Sequence, residues 1–430
     1  MIDDYDMIFL VQDDSNKDVN SDYVLGEHFD TSYLIITKEK TNAYVSSLEF
    51  ANVGVTRDKE SGGRKFDRFS NASYKDLSKK NIISDLKKIY AKNLIHRDKD
   101  TLRTKKIIVG IDFEKVSISL QKRILHILKE SSLQLAEKKE AGSRLEKTSG
   151  TKTSKKISGK TPKKSATNIS AKSQRNIPPI SRLRFSFKDT SRLFSDLRLI
   201  KREDELENIE TACGISDEIF ERTTSWLKGQ LEMKSRTRVI TENEVVAFMK
   251  KQMIDFQVEE SFPIIVASGK NASCPHHVPS GKLNDGFCIF DFGVKYKGYC
   301  SDMARTVYIG TPKRSEIETY FSLLKIQTDA VSEITAGVRL DSLDQSVRKK
   351  MGKNSRYFVH SLGHGVGLEV HERPFFKHDK IFQDGMVVAI EPGIYVENET
   401  ENFGIRIEDM IYVSRKSRIL TRSKKELIII

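Results

Sequence analysis

The chain has 430 residues, 38% of them hydrophobic and 31% charged, with a formal net charge of +13. That length and apolar fraction suit two or three domains with cores of their own and exclude a chain disordered throughout. The acidic start Met1-Ile-Asp-Asp-Tyr-Asp6 lacks the basic and apolar regions of a signal peptide, and no apolar run approaches bilayer length, so a cytoplasmic protein without a membrane segment is expected. Cys213, Cys274, Cys288 and Cys300 form no CxxC pair, which fits a reducing compartment. Cys288 and Cys300 sit in apolar surroundings and read as small hydrophobes rather than soft metal ligands.

Taken in chain order, residues 7–11, 33–37, 43–47 and 107–111 read as short strands. Ile118, Leu120, Ile124, Leu125, Ile127 and Leu128 recur at helical spacing and predict a helix over 116–135. A different kind of segment follows. Between Lys147 and Asn176 lie eight lysines and one arginine, with no acid and no aromatic residue. This run carries +9 of the formal charge, so the rest of the chain is nearly balanced. Residues 137–177 therefore read as a flexible, low-complexity insert that buries too little apolar surface to offset the entropy of ordering. It is either a solvated linker or a weak, nonspecific, salt-sensitive contact for nucleic acid or another anionic surface. Without interleaved aromatics it offers no stacking platform for single strands. Beyond it, Leu183, Phe185 and Phe187 alternate like one more strand over 180–187. The sum is a small α/β domain over 1–197, interrupted by the insert; its His28, His96 and His126 are isolated and form no catalytic constellation.

From 198 to 430 the pattern is α+β. Residues 202–228 are apolar at helical spacing with acids at the start, and Thr241-Glu-Asn-Glu244 is a capping box opening a helix over 245–256. Strands follow over 262–268, 287–294 and 298–309, the last stopped by Thr311-Pro312, then helices over 315–332 and 340–350. The order of helices and strands has the look of two related halves, without a residue-level repeat.

The last strands carry the densest chemistry in the chain. His360-Ser-Leu-Gly-His364-Gly-Val-Gly-Leu-Glu-Val-His371-Glu372 places three of the nine histidines within thirteen residues. If extended, it puts His360, Leu362, His364 and Val366 on one face, while Gly363, Gly365 and Gly367 let other backbone or a ligand come close. Alone, the run could be a glycine-rich connection that happens to carry histidines. Its company points elsewhere: Asp291 and Asp302 upstream, Glu391 and Glu408 downstream, each closing or sitting within an apolar strand-like segment. A carboxylate there is costly to bury unless paired or coordinated. Four of them with a central imidazole suit a pair of divalent cations, manganese, iron or cobalt ahead of zinc.

The order Asp291, Asp302, His364, Glu391, Glu408 resembles the five-ligand dinuclear site of the pita-bread metallopeptidases, the group of methionine aminopeptidase, aminopeptidase P, prolidase and creatinase. The 360–372 run together with Arg406-Ile407-Glu408-Asp409 is similar to the Xaa-Pro branch, prolidase and aminopeptidase P. The resemblance spans about 199–430 and is loose before that. It implies a pita-bread catalytic domain over 198–430, preceded by a non-catalytic domain, and a homodimer as in many relatives. It implies two divalent ions, Mn2+ first and Co2+, Fe2+ or Zn2+ as alternatives. Asp291 would bind one metal, Asp302 and Glu408 would bridge both, and His364 and Glu391 would complete the second. Such a pair polarises the scissile carbonyl of proline-containing peptides and generates a bridging hydroxide that attacks it. Glu391 would also shuttle the proton. His276, His360 and His371 match the histidines that hold substrate and intermediate. His277 reads as a neighbour only. Arg406 shares a strand face with Glu408, where it would either bind a substrate carboxylate or neutralise the ligands.

Prolidases often carry an arginine four positions after the histidine that ends the run; here that position is Phe375, with Arg373 two residues earlier. This tilts the expectation from dipeptides toward the longer Xaa-Pro peptides of aminopeptidase P. Two other readings stand beside it: an inactive pita-bread protein that binds peptides or nucleic-acid complexes, and a methionine aminopeptidase-like enzyme.

Overall fold

The computed structural model describes residues 7–12, 19–25, 32–36, 41–45, 73–76, 106–112, 121–122, 124–125, 184–232 and 239–430. The insert over 137–177 and most of the helix expected over 116–135 lie outside them. The chain divides into two compact units, Met1–Leu193 and Phe194–Ile430.

In the first unit, strands β1 (Met7–Gln12), β2 (Ser32–Ile36), β3 (Thr41–Val45), β4 (Ser73–Asp76), β5 (Lys106–Ile111) and β6 (Arg184–Asp189) form a mixed sheet in the order β4-β3-β2-β1-β5-β6. Helix α1 (Val19–Leu25) joins β1 to β2. Met7 to Leu10 are all buried, as expected of a central strand covered on both sides. Helix α2 (Ser191–Leu199) crosses the boundary between the units.

The second unit opens with α3 (Glu203–Glu232) and α4 (Glu242–Asp255). The capping box is formed as the sequence predicts, with Thr241 and Glu244 each accepting from the other's backbone N–H. Strands β7 (Glu259–Glu260), β8 (Ile265–Ser268), β9 (Gly286–Phe292), β10 (Val294–Tyr296), β11 (Tyr299–Cys300) and β12 (Met303–Ile309) follow, then helices α5 (Arg314–Ser332) and α6 (Leu340–Met351). The remaining strands are β13 (Gly363–Gly365), β14 (Glu372–Phe375), β15 (Val387–Ile390), β16 (Gly393–Glu397), β17 (Asn402–Arg406), β18 (Asp409–Tyr412) and β19 (Arg418–Ile419). An antiparallel sheet β12-β9-β8 packs with α3 and α4 around Phe220, Met249, Phe290 and Phe292. A second antiparallel sheet, β14-β13-β15-β18-β19, shares a core with α5 and α6 around Leu323, Leu343, Val388 and Ile411. Two helix pairs, each covering a sheet, give the α+β architecture expected from the order of elements.

Three expected strands are broken: the one over 287–294 divides at Gly293 into β9 and β10, which join different sheets, and two further breaks shape the site. The segment over 298–309 stops between Cys300 and Met303, leaving Ser301 and Asp302 outside the ladder. Gly293 faces that break: a Cβ there would lie 1.8 Å from the Ser301 carbonyl oxygen. The histidine run is likewise not one extended strand. Gly363–Gly365 pairs with β15 and β14, then the chain bends before returning as β14. The glycines explain it, since a Cβ on Gly363 would sit 1.9 Å from the Ala389 oxygen and one on Gly365 2.2 Å from the Arg373 oxygen. Leu362 and Val366 consequently belong to different core clusters rather than to one face with His364.

Behind the second sheet lies a buried polar node. Asp409 accepts from Arg305 Nη2 (2.8 Å), Gln327 Nε2 (2.8 Å), Thr421 Oγ1 (2.9 Å) and Lys425 Nζ. Burial pushes the Asp409 carboxyl up, but Arg305 and Lys425 hold it below the usual range. Arg305, itself buried, also donates to the Glu408 carbonyl. Arg305→Met is expected to cost about 3 kcal/mol in urea unfolding, because it strips a buried charge of its main partner. Most of that loss should return in Arg305→Met with Asp409→Leu; an unaltered single variant would show the pair to be inert.

Candidate metal centre

Strand register places the acids. On β9 the residues alternate: Cys288, Phe290 and Phe292 enter the core beneath α3 and α4, so Asp291 points the other way. Asp291 pairs with Ala304 of β12, and the Ala304 carbonyl accepts the Glu408 N–H at 3.0 Å, so the two sheets meet at this point. On the other sheet Ile390 pairs with Asp409, which sets Glu391 and Glu408 side by side just past the ladder. The Glu391 N–H donates to the Leu362 carbonyl at 2.9 Å, two residues before His364. Residues far apart in sequence thus converge because strand ends from both sheets converge.

The ligand atoms of Asp302, His364 and Glu408 all lie within 4.8 Å of one another, and the three residues are buried. His364 Nε2 stands 3.5 Å from Asp302 Oδ2 and 3.7 Å from Glu391 Oε1. Its Nδ1 donates to the Gly365 carbonyl at 3.1 Å, which leaves the Nε2 lone pair facing the acids, the tautomer a metal ligand needs. Burial, helped by His371, lowers the His364 pKa to about 3, so the ring is neutral. Asp291 meets Arg406 Nη1 in a buried ion pair.

Charge is the site's outstanding feature. Burial and mutual repulsion push Asp302 and Glu408 well above the carboxylate range, Asp291 is raised in spite of Arg406, and burial takes Glu391 to about 8. Four carboxyls face a single buried guanidinium. Together with a neutral imidazole of fixed tautomer, this donor set fits divalent cations, which would supply the missing positive charge.

These groups lie on a cavity of about 570 Å³ that also takes in His276, His360, His371 and Arg406. All the residues expected at the site from sequence therefore line one cavity, though two differ from expectation. His360 has neither ring nitrogen left for a substrate: Nδ1 contacts the Ser361 carbonyl at 2.9 Å and Nε2 the Tyr395 hydroxyl at 2.9 Å. Burial and the nearby Arg406 lower its pKa to about 4. Arg406, expected among the substrate-binding residues, has all three nitrogens engaged by protein groups: Nε donates to Tyr395 at 2.6 Å, Nη1 to Asp291 and Nη2 to the Pro275 carbonyl at 3.0 Å. Of the two roles open to it, the geometry matches charge balance for the ligands.

Arg373 is no substitute for an arginine at 375. It pairs with Asp379 and Asp196 and is absent from the cavity wall, which carries Phe375, Phe376, Lys377 and His378 from the next turn. Asp379 shapes that turn by accepting the Phe375 N–H at 2.7 Å.

Tyr395 was not legible as a site residue. Because the Ser361 carbonyl only accepts, the neutral His360 ring carries its proton on Nδ1, so Tyr395 donates to Nε2 while its oxygen accepts from Arg406. The usable signal was Gly393: a Cβ there would stand 2.5 Å from the Tyr395 hydroxyl. His277, read as a neighbour, does not reach the cavity and bonds Glu242 instead.

The model of metallopeptidase family M24 matches residues 207–415. An uncharacterized peptidase of Staphylococcus haemolyticus is 38% identical over 247 residues, 56% of this chain and 67% of that protein. The uncharacterized peptidase YqhT of Bacillus subtilis is 38% identical over 241 residues, 54% of this chain and 65% of that protein. Among solved structures, an Xaa-Pro dipeptidase from Bacillus anthracis superposes with a TM-score of 0.69 at 25% identity, covering 99% of this chain and 95% of that one. An X-Pro aminopeptidase from Thermotoga maritima MSB8 shares the fold with a TM-score of 0.71 at 23% identity, over 99% and 98% of the two chains. The fold is that of the pita-bread metallopeptidases. The chain belongs to metallopeptidase family M24.

Proposed function

We propose that the protein is a dinuclear metallo-exopeptidase that cleaves the Xaa-Pro bond at the N-terminus of peptides longer than dipeptides. The carrying observation is the buried Asp302–His364–Glu408 cluster, flanked by Glu391 and Asp291, at one cavity with His276 and His371. Xaa-Pro specificity draws on the solved relatives, an Xaa-Pro dipeptidase and prolidases among them. It is supported by an apolar wall of Phe262, Ile265, Phe375 and Phe376 suited to a proline ring.

Asp291, Asp302, His364, Glu391 and Glu408 would hold the two ions, Mn2+ first, with Co2+, Fe2+ or Zn2+ as alternatives. Bound divalent cations supply Lewis acidity for the scissile carbonyl and a water of lowered pKa. Glu391 has the most exposed carboxyl of the cluster and stands 3.7 Å from both His360 and His364, so it takes the attacking water's proton and returns it to the leaving proline nitrogen. His276 and His371 donate to the charge developing on the carbonyl oxygen. Arg406 and Tyr395 keep Asp291 and His360 in place.

With Arg373 engaged and Phe375 at the arginine position, a dipeptide's carboxylate would meet on this stretch of the wall only the exposed, solvated side chains of Lys377 and His378, without a preorganised arginine contact. After reconstitution with manganese, Xaa-Pro-Yaa tripeptides are expected to show kcat/KM at least about tenfold above Xaa-Pro dipeptides, the scale of a missing specific contact. The reverse preference would assign a prolidase, and preference for Met-Ala peptides a methionine aminopeptidase. No hydrolysis with manganese, cobalt or zinc would overturn the enzyme and favour an inactive peptide-binding protein.

A further inference from the structure

Helix α4 begins with a fully buried carboxylate, Glu242, whose side-chain partners all lie on the segment that brings His276 to the cavity. Oε1 accepts from the Ser268 N–H at 2.8 Å, the Ser268 hydroxyl at 2.7 Å and the Asn271 amide at 3.1 Å. Oε2 accepts from His277 Nε2 at 2.7 Å and from the Ser280 N–H at 2.9 Å. Ser268 and Asn271 precede His276; His277 and Ser280 follow it. A short 3-10 turn, Gly269–Ser273, opens this stretch; beyond it the backbone bonds among the described residues are Cys274 N–H to the Asn271 carbonyl and His277 N–H to the Cys274 carbonyl. Strand pairing does not position His276, since β8 ends at Ser268. The same stretch presents the Pro275 carbonyl to Arg406.

We infer that Glu242 and His277 form a clamp that positions His276 in the cavity. One carboxylate grips the loop on both sides of the histidine, and His277 is the gripping point adjacent to it. Five directed N–H and O–H donors on a buried carboxylate make it an anchor for the loop rather than half of an ion pair of two exposed chains. His277 is thus a positioning residue acting through its neighbour, not a ligand or a donor to substrate. The inference deepens the proposed peptidase reading and rests on it for the activity readout alone.

The test uses the full chain reconstituted with manganese and an Xaa-Pro-Yaa tripeptide. His277→Phe keeps the ring volume and removes the donor; His277→Gln restores an N–H donor toward Glu242. His277→Phe should lower kcat about tenfold with KM little changed, within the range seen when supporting groups are removed. His277→Gln should recover to within about threefold of the parent, and His277→Phe should add nothing in a His276→Ala background, because residues acting through one another are not additive. Full activity of His277→Phe, or a loss that persists in the His276→Ala background, would overturn the clamp. A second readout is independent of turnover: the 13C-labelled ring signal of His276, assigned by its loss in His276→Ala, should shift or broaden in His277→Phe and return in His277→Gln. An unmoved signal would overturn the inference even if the protein cleaved no Xaa-Pro peptide, whereas absent cleavage with a moved signal would overturn the peptidase reading alone.

Discussion

Glu408→Gln is expected to lower kcat/KM for an Xaa-Pro peptide by about a thousandfold or more and, at the same time, to raise the melting temperature of the metal-free protein. The two effects share a cause. Glu408 is buried beside Asp302 and His364, and burial with repulsion from Asp302, Glu391 and Asp291 pushes its carboxyl well above the usual range. Divalent cations relieve that repulsion; without them it is a standing cost. The amide keeps the shape, drops the charge, and should recover about 1–2 kcal/mol when no metal is present. On the proposed reading it also removes an anionic ligand from the centre of the cluster, and loss of one preorganised electrostatic group alone is worth roughly a hundredfold to a thousandfold. Calorimetry without metal, metal content after reconstitution, and steady-state kinetics check the three parts. Parental turnover with parental metal content would remove Glu408 from the site.

The metal-free protein should lose stability as pH rises from about 7 to 9, and metal should abolish most of that slope. The folded state holds Glu391 at about 8, with Asp302 and Glu408 well above their ordinary values, whereas the unfolded chain ionises all three near pH 4. In this window the folded state binds more protons, so its stability falls by about 1.4 kcal/mol per pH unit for each proton retained. Buried neutral histidines work the other way: His360 at about 4 and His364 at about 3 add stability as pH rises toward their unfolded value. That contribution is complete by about pH 7, so it masks the carboxylates below neutrality and leaves them alone above it. For a unit of this size each kcal/mol moves the melting temperature by about 2–4 °C. Bound metal holds the carboxylates ionised, so its stabilisation should grow across the same window with release of protons. Glu408→Gln should flatten the slope of the metal-free protein. A melting temperature that rises from pH 7 to 9 would contradict the buried-carboxylate account.

Much of this centre was legible because its parts obey local rules. A carboxylate closing an apolar strand stands out against hydrophobic periodicity, and Asp291, Glu391 and Glu408 all do so. The capping box at Thr241 and the helical spacing over 315–332 and 340–350 likewise report themselves within a few residues, and the structure has helices there. The run from His360 to Glu372 was legible in composition but not in shape. Period-two reasoning assumes an uninterrupted strand, and the glycines that admit neighbouring backbone also allow the bend that ends it.

What stayed hidden depends on partners from other elements, some more than a hundred residues away, and on which of several donors is already taken. Arg406 was known as a cation on the Glu408 strand, but not as one held at each nitrogen by Asp291, Tyr395 and Pro275. Arg373 was a conceivable carboxylate binder until Asp379 and Asp196 claimed it. Glu242 looked like an ordinary acid in the first turn of a helix, where the helix dipole favours one. The sequence by itself determined which residue types reach the centre and in what order, since strand periodicity and the cost of burying charge act locally. Only the tertiary structure decided how many of them remain available to a substrate, because a hydrogen-bond donor serves the nearest buried acceptor and that acceptor comes from another strand.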